Sequence, residues 1–322
     1  MLVKQFPRFS HVNFASLPLG AAYSECSNGL RSIEDVYLYT DRLFGLANHS
    51  LLCARGSRYN IDRQGSKFCW SEYHLPKAFA IPGLRQNNWY HLLVELLFCS
   101  WLLNKLDLTI PVLLCSSNDD GVLEELCALF QQKGYNLLTT RPTRHSRLHL
   151  DSLYLFENSS FRWYCDGSIN GSIISKFNEY AKFLRNELIE ENTANPWRIV
   201  FSTRTTNDQR SEANQSEINE FFRAKGFEIV DFSKMSFHEQ WRISRECRIM
   251  VGQHGANLVN SIFMNPGCQL VEISNMSIPH AVGLYTQLTK LIGLQCQSIV
   301  VDGFSRESLK AIEKSINPIV KD

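Results

Sequence analysis

The chain has 322 residues, 44% of them hydrophobic and 20% charged, which is the composition of a globular protein long enough for two domains. Its net charge is +1 and its pI is near 7.6, so overall charge gives no reason to expect nucleic-acid binding. The ten cysteines include no C-x-x-C pair, which argues against a zinc or thioredoxin-like site and indicates a reducing compartment.

The first ten residues and the longest apolar stretch bear on where the protein is located in the cell. Residues 1–10 lack the apolar core of a signal peptide. The stretch at 92–103 is shorter than a membrane span and contains Glu95. We therefore expect a cytoplasmic protein without a transmembrane segment.

The first half of the chain becomes regular only after its first 75 residues. Before that point, the pattern predicts short strands at 36–39 and 50–54. Helices are then predicted at 88–106, 119–133 and 172–191, and strands at 111–115, 135–140 and 152–156. Gly134 follows the second of these helices and is expected to end it in the left-handed conformation.

A polar segment that ends in Asn195-Pro196 predicts a domain boundary. Beyond it, strands are predicted at 197–202, 227–232, 248–251, 269–273 and 295–301, and helices at 214–225, 236–246, 257–263 and 280–292. This alternation is typical of an α/β fold with a parallel sheet between helices. We assign 1–190 to an N-terminal domain, 191–304 to a C-terminal domain and 305–322 to a helix that packs back on the N-terminal domain.

Two of the predicted helices begin with a capping-box pattern. Asn214 precedes Glu217 by three residues, and Ser236 precedes Glu239 by the same spacing. In such a box the first side chain accepts from the helix backbone, and the acid bonds back to the cap residue.

The turn after the predicted strand at 248–251 is the most informative part of the chain. Gly255 and Ala256 have too little side chain to keep a phosphate away from backbone N–H groups. His254 and Asn257 add polar groups at the same turn. A tight turn around a buried histidine is the alternative. The anion site is favoured by the further residues Asn260, Pro266, Gly267 and Glu272.

A second motif places Arg204 and Arg210 in one loop after the strand at 197–202. Two guanidinium groups suit a diphosphate, because each is permanently charged and can bind two oxygens at once. Alternatively, Asp208 and Glu212 pair with these arginines on a solvated loop. Ligands of open α/β sheets bind beyond the carboxyl ends of the strands, where this loop and the turn would meet.

A third motif places His91 and Glu95 one helical turn apart, near the start of the predicted helix at 88–106. Such a pair is a plausible general base. A buried histidine held by a carboxylate is the alternative.

In this order and at these separations, the three motifs resemble glycosyltransferase family 61 over roughly residues 80–280. The matching positions are Trp89, Tyr90, His91, Arg204, Arg210, Asn214, Gln240, Gly252, His254, Gly255, Ala256, Asn260, Phe263, Pro266, Gly267 and Glu272. One position departs from the family pattern, because Gln215 stands where the family has a glutamate.

The resemblance implies a GT-B architecture, in which two Rossmann-like domains face a central cleft. It also implies inverting transfer of a sugar, such as xylose or N-acetylglucosamine, from a UDP-sugar to a glycan hydroxyl. The absence of secretory or membrane segments favours a bacterial or viral enzyme of surface polysaccharide or glycoconjugate synthesis, in the cytoplasm or peripheral at the inner membrane.

The residues that would bind the donor are Arg204, Arg210, Gln253, His254, Gly255, Ala256, Asn257, Asn260 and Glu272. Because the chain has no D-x-D motif, we expect no metal and no other cofactor, with the arginines and the turn stabilising the leaving diphosphate. Glu272 would accept from ribose hydroxyls. Either Glu95 or His91 would be the base, with Asp41 and Asp166 left open.

Two other classes of protein remain as alternatives. A degenerate transferase could bind a nucleotide or glycan without catalysis, and sugar release would distinguish it from an enzyme. An NAD-dependent enzyme is disfavoured, because the turn lacks the G-x-G-x-x-G pattern.

Overall fold

The structure is a computed structural model that describes residues 23–25, 30–40, 49–54, 71–79, 88–115, 121–140, 146–156, 171–191, 195–204, 214–275 and 284–321. The chain divides into two compact units, one of Met1–Asp120 with Phe130–Trp163 and the other of Gly121–Leu129 with Tyr164–Asp322. The second unit thus begins before the boundary predicted at 190–191. No helix in the described segments is long and apolar enough to cross a membrane.

The first unit contains a mixed seven-stranded sheet. Its strands are β1 (Tyr23–Glu25), β2 (Leu30–Thr40), β3 (His49–Ala54), β4 (Ser71–Phe79), β5 (Val112–Cys115), β6 (Leu137–Thr140) and β7 (Ser146–Phe156). The order is β1-β2-β7-β4-β5-β6, with β3 also paired to β2. Strands β4 to β7 form the parallel part, whereas β2 pairs antiparallel with β1, β3 and β7. The predicted strands at 36–39 and 50–54 lie within β2 and β3.

One continuous helix, α1, carries the His–Glu motif. It consists of Trp89–His91, a π-helical segment at Leu92–Leu96 and an α-helical segment at Leu97–Lys105. Asn88 caps it by accepting from the Tyr90 backbone N–H at 3.0 Å. The π-helical segment is buried throughout, as expected for its four apolar residues, and Glu95 is buried with them. A π-turn within an α-helix frequently marks a functional site.

Helix α2 (Gly121–Gln132) ends as predicted. Gly134 has a φ of 84°, and its backbone N–H donates to the Gln131 carbonyl at 2.9 Å. A side chain is strained in this left-handed conformation, which explains the glycine.

The second unit contains a five-stranded sheet in which every pairing is parallel. Its strands are β8 (Arg198–Ser202), β9 (Glu228–Val230), β10 (Cys247–Gln253), β11 (Gln269–Asn275) and β12 (Gln295–Val301). Besides most of α2, its described helices are α3 (Gly171–Asn186), α4 (Gln215–Ala224), α5 (Phe237–Arg245), α6 (Leu284–Ile292) and α7 (Arg306–Lys321), with 3₁₀ helices at Phe232–Lys234 and Ala256–Phe263. The predicted alternation of strands and helices is thus present.

The strand order is β12-β11-β10-β8-β9. The chain therefore starts in the interior of the sheet, at β8, adds β9 on one side and then returns to the other side with β10. Doubly wound sheets bind ligands at such a reversal, outside the carboxyl ends of the strands. We therefore expect a ligand-binding site at the edge where β8 and β10 end.

The final helix packs on this second sheet. Leu309, Ile312 and Ile316 of α7 lie in one core cluster with Phe201 and Phe222, whose rings stack with centroids 3.8 Å apart. We expected this helix to pack back on the N-terminal domain; its apolar face is buried in the core of the second unit instead.

The two predicted capping boxes have different outcomes. Ser236 and Glu239 form both hydrogen bonds of the box at the start of α5. Asn214 precedes α4 but makes no side-chain cap bond to it, and its Nδ2 instead donates to the Phe304 carbonyl at 2.9 Å. The box predicted with Glu217 is therefore absent.

Candidate functional site

The carboxyl edge of the second sheet brings Arg204 onto the predicted anion-binding turn. Ser202 pairs with Gly252 in the β8–β10 register, so the segments that leave these strands are neighbours. Arg204 donates from Nη2 to the His254 carbonyl oxygen at 2.6 Å. The Arg204 side chain is buried, with 8% of the residue exposed. The arginine motif and the turn, 50 residues apart in sequence, are therefore in direct contact.

Gly255 leaves the space in which the Arg204 guanidinium lies. A Cβ on Gly255 would lie 1.7 Å from Nη2 and 2.8 Å from Cζ of Arg204. Its φ of 161° is extended backbone that any residue can adopt, so conformation is not the reason for the glycine. The guanidinium thus lies directly against the backbone of the turn. The small residue that we expected to admit a phosphate also admits the Arg204 side chain.

Neutral side chains fix the backbone on which Arg204 stands. Thr203 donates from Oγ1 to Asn219 Oδ1 at 2.7 Å, and Gln215 Nε2 donates to both of these oxygens at 3.2 Å. Asn257 donates from Nδ2 to the Thr203 carbonyl at 3.3 Å. Gln215 is the departure from the family pattern, and the two bonds that it makes require an N–H donor, which a carboxylate lacks.

His254 and Glu272 form a hydrogen bond beneath the turn. His254 Nδ1 lies 2.5 Å from Glu272 Oε1, and Glu272 is completely buried. The register explains the contact, because Glu272 pairs with Gly252 on the neighbouring strand, two residues before His254. We expected Glu272 to contact ribose, but its carboxylate has no accessible surface in this structure.

Tyr285 is a part of this arrangement that the sequence analysis missed. Its hydroxyl donates to the Gly255 carbonyl at 2.6 Å, and its ring meets the His254 ring edge to face, with centroids 5.8 Å apart. No sequence signal marks Tyr285, because it stands in an ordinary apolar helix, α6, and reaches the turn only through the fold.

The remaining predicted donor residues lie around the same edge. Gln253 ends β10 and is 9% exposed, and among the described residues its buried Nε2 has no hydrogen-bond partner. Asn260 is fully buried in the 3₁₀ helix, and Ala256 begins that helix. Arg210 lies outside the described residues.

The His–Glu motif of the first unit also forms a hydrogen-bonded pair. His91, which directly precedes the π-helical segment of α1, has its Nδ1 2.9 Å from Oε2 of Glu95 within that segment. The His91 side chain is 30% exposed, whereas that of Glu95 is only 5% exposed. With Nδ1 engaged, Nε2 is the ring nitrogen of His91 that remains for a substrate. Asp41 and Asp166, the other candidate bases, lie outside the described residues.

Among the described residues, we find neither a reactive cysteine nor a metal-binding cluster. Burial raises the pKa of the Cys127 thiol to about 12 and also raises the pKa values of the Cys99 and Cys247 thiols, so these side chains are not nucleophiles at neutral pH. In the described part of the chain, no group of His, Cys, Asp or Glu residues is arranged to hold a metal ion. A metal-free reaction stays a prediction.

What the edge of the second sheet offers is fixed positive charge. A guanidinium that is held in place by a carbonyl, over a turn without side-chain bulk, can stabilise negative charge on a ligand without having to reorganise. The model of the family described as Glycosyltransferase 61 matches residues 89–271, more than half of the chain. No curated protein matches the chain significantly.

Proposed function

Because the chain belongs to glycosyltransferase family 61, we propose that it is an inverting enzyme that transfers a sugar from a UDP-sugar to a glycan hydroxyl. The sugar would be a pentose such as xylose, or N-acetylglucosamine, and the product a surface polysaccharide or glycoconjugate. Membership of the family indicates a glycosyltransferase, with a sugar donor and a glycan acceptor. The GT-B arrangement and the cytoplasmic location, expected from the sequence, are parts of this proposal.

The observation that carries the proposal is the contact between Arg204 and the turn at Gly255. Inverting transfer is a single displacement, in which the diphosphate leaves as the acceptor oxygen attacks. Negative charge therefore develops on the leaving phosphate, and catalysis depends on groups that are already placed to stabilise it. In this proposal, Arg204 and the adjoining turn stabilise the leaving UDP without a metal, together with Arg210.

His91 is the better of the two proposed bases, and Glu95 is its positioning residue. A base must reach the acceptor hydroxyl, and His91 is the more exposed member of the pair. The Glu95 carboxylate, bonded to Nδ1, favours the tautomer in which Nε2 can accept the proton.

The experiment that tests the proposal is a calorimetric titration of the protein with UDP, GDP, CMP and ADP, each in EDTA and then in Mn²⁺. We expect UDP to bind best, and to bind equally well in EDTA. Screening of UDP-sugars would follow, with sugar release and the anomeric configuration of the product as readouts.

Each outcome of this experiment has a defined meaning. Binding only in the presence of metal would contradict the donor site, and absence of nucleotide binding would contradict the proposed function. UDP binding without sugar release from any donor and acceptor would identify the non-catalytic binding protein that the sequence left as an alternative.

A further inference from the structure

Glu272 is completely buried and has a single hydrogen-bond partner among the described residues. It lies at the carboxyl end of β11, and 0% of its surface is exposed. Its Oε1 is bonded to His254 Nδ1 at 2.5 Å, while Oε2 is buried and has no hydrogen-bond partner in the described part of the chain. A buried carboxylate is costly unless it is paired, so His254 is the partner that makes this position tolerable.

His254 connects this buried carboxylate to the rest of the edge. Its carbonyl oxygen accepts from Arg204, and its backbone N–H donates to the Ile273 carbonyl at 2.8 Å. Its ring packs against Tyr285, and 11% of its side chain is exposed. The ring is therefore restrained by a carboxylate on one side and an aromatic ring on another, yet it retains some accessible surface.

The pairing determines which ring nitrogen can meet a ligand. A carboxylate accepts a hydrogen bond and cannot donate one, so Nδ1 carries the proton and Nε2 is the remaining polar atom of the ring. The pair has no net charge when the imidazole is protonated, and Nε2–H is then a donor suited to a phosphate oxygen.

We infer that Glu272 is a positioning residue, which acts on the donor only through the His254 imidazole and does not contact the donor itself. This inference rests on the proposed function, because the ligand of His254 is the leaving phosphate of the UDP-sugar. It replaces the ribose contact expected from the sequence.

A double-mutant cycle tests this division of roles. Glu272→Gln is expected to lower kcat by about 10- to 100-fold. This range is taken from metal sites, where removing the carboxylate that orients a histidine has an effect of this size. The KM for the donor should change little, because the lost interaction is one of the transition state. In a His254→Asn background, Glu272→Gln should lower kcat no further, since a residue that acts only through His254 has no effect without it.

The cycle needs a control for simple loss of structure. Glu246 is a partly buried glutamate of the same unit that pairs with Arg198 at 2.7 Å. Glu246→Gln removes a comparable ion pair away from the turn and should leave kcat unchanged. If Glu272→Gln raises the donor KM by the same factor in both backgrounds, then Glu272 contacts the donor directly and the inference is overturned.

A spectroscopic measurement on the wild-type protein remains decisive if Glu272→Gln does not fold. In protein labelled with ¹⁵N-histidine, with the His254 ring assigned from the His254→Asn spectrum, we expect a protonated Nδ1 and a shift of the Nε2 resonance when UDP is added. An unprotonated Nδ1, or an Nε2 resonance that UDP leaves unchanged, would overturn the inference.

These results separate the inference from the proposed function. A wild-type protein that binds no nucleotide overturns both. If wild-type protein binds UDP and transfers sugar while folded Glu272→Gln has an unchanged kcat, the proposed function stands and only the role of Glu272 is lost.

Discussion

The Arg204 guanidinium lies where a side chain at position 255 would begin. In Gly255→Ala, the new Cβ would stand 1.7 Å from the guanidinium nitrogen, so Arg204 must move away from the turn. We expect kcat to fall by about 100- to 1,000-fold, the loss typical of removing one preorganised donor to a developing anion. Steady-state kinetics with the identified UDP-sugar measures this loss.

The control for this substitution is Gly121→Ala. Gly121 lies at the start of helix α2, and a Cβ there has no atom within 4 Å. The same chemical change should leave kcat intact and should not lower the melting temperature. Equal activity of the two alanine variants would show that the position of Arg204 is not important for transfer.

Arg204 itself should matter for its shape as well as for its charge. In Arg204→Lys, the ammonium group keeps the charge but cannot both bond the His254 carbonyl and present a planar pair of donors to a phosphate. We expect kcat/KM to fall by an amount that corresponds to about 3 kcal/mol or more of lost transition-state stabilisation.

Arg223→Lys is the matched control for Arg204→Lys, since Arg223 is an exposed residue that pairs with Glu220. It should keep full activity. An Arg204→Lys enzyme with the wild-type kcat/KM would exclude a bidentate role for the guanidinium.

The His91–Glu95 pair leads to a prediction about the base. Both His91→Gln and Glu95→Gln should lower kcat, the first by about 100- to 10,000-fold, as expected when a general base is lost. UDP affinity, measured by calorimetry, should remain unchanged. Asp151→Asn removes an exposed pair of the same unit, with His74, and serves as the control. A fall in UDP affinity would mean that the pair contributes to donor binding instead.

At the level of elements, the start of α5 predicts a dependence of stability on pH. Hydrogen bonds from the Ser236 backbone and then from its side chain lower the pKa of Glu239 below its ordinary value. A carboxyl group whose pKa is lower in the folded state stabilises the protein above its unfolded-state pKa, and this contribution is lost as the pH falls through the folded-state pKa. Glu239→Gln should therefore destabilise the protein at neutral pH but not in acid.

Glu217→Gln is the matched control, because Glu217 stands in the first turn of α4, where the box does not form. Urea denaturation at neutral and acidic pH measures both variants. A Glu239→Gln protein with the stability of the wild type at neutral pH would contradict this account of the box.

Elements were predictable where one local signal dominated. All five strands of the second sheet were predicted, because each is an apolar run between helix signals. Strand β4 was missed, since it contains Pro76 beside exposed His74 and Lys77, residues that argue against a strand. Its place in the sheet depends on pairing with β5 and β7, which is not visible in its own sequence.

The candidate site was predictable in its membership more than in its roles. Spacing and residue type identified Arg204, His254 and Glu272, but only the fold shows that Glu272 is buried beneath His254. Helix signals likewise favoured the side chain of Asn214 as a cap, and a carbonyl 90 residues later in the chain binds it instead. Contacts between distant residues decide such outcomes, and no local pattern encodes them.

For the molecule as a whole, donor binding should appear as added stability. A ligand that binds only the folded state raises the free energy of unfolding, by about 2.7 kcal/mol at a concentration 100 times its Kd. UDP should therefore raise the melting temperature, by the same amount in EDTA as in Mn²⁺. Uridine, which lacks the diphosphate, is the control and should have a much smaller effect. Equal shifts with UDP and uridine would argue against the arginine site.

The order in which the second sheet is connected also affects when the site can exist during synthesis. Arg204 leaves the ribosome 50 residues before the His254 carbonyl that receives its guanidinium, and Tyr285 follows Gly255 by another 30. A nascent chain that has completed β8 and β9 therefore carries the arginine but has no turn against which to place it. Nucleotide can assist the folding of this site only after the chain has emerged as far as Tyr285.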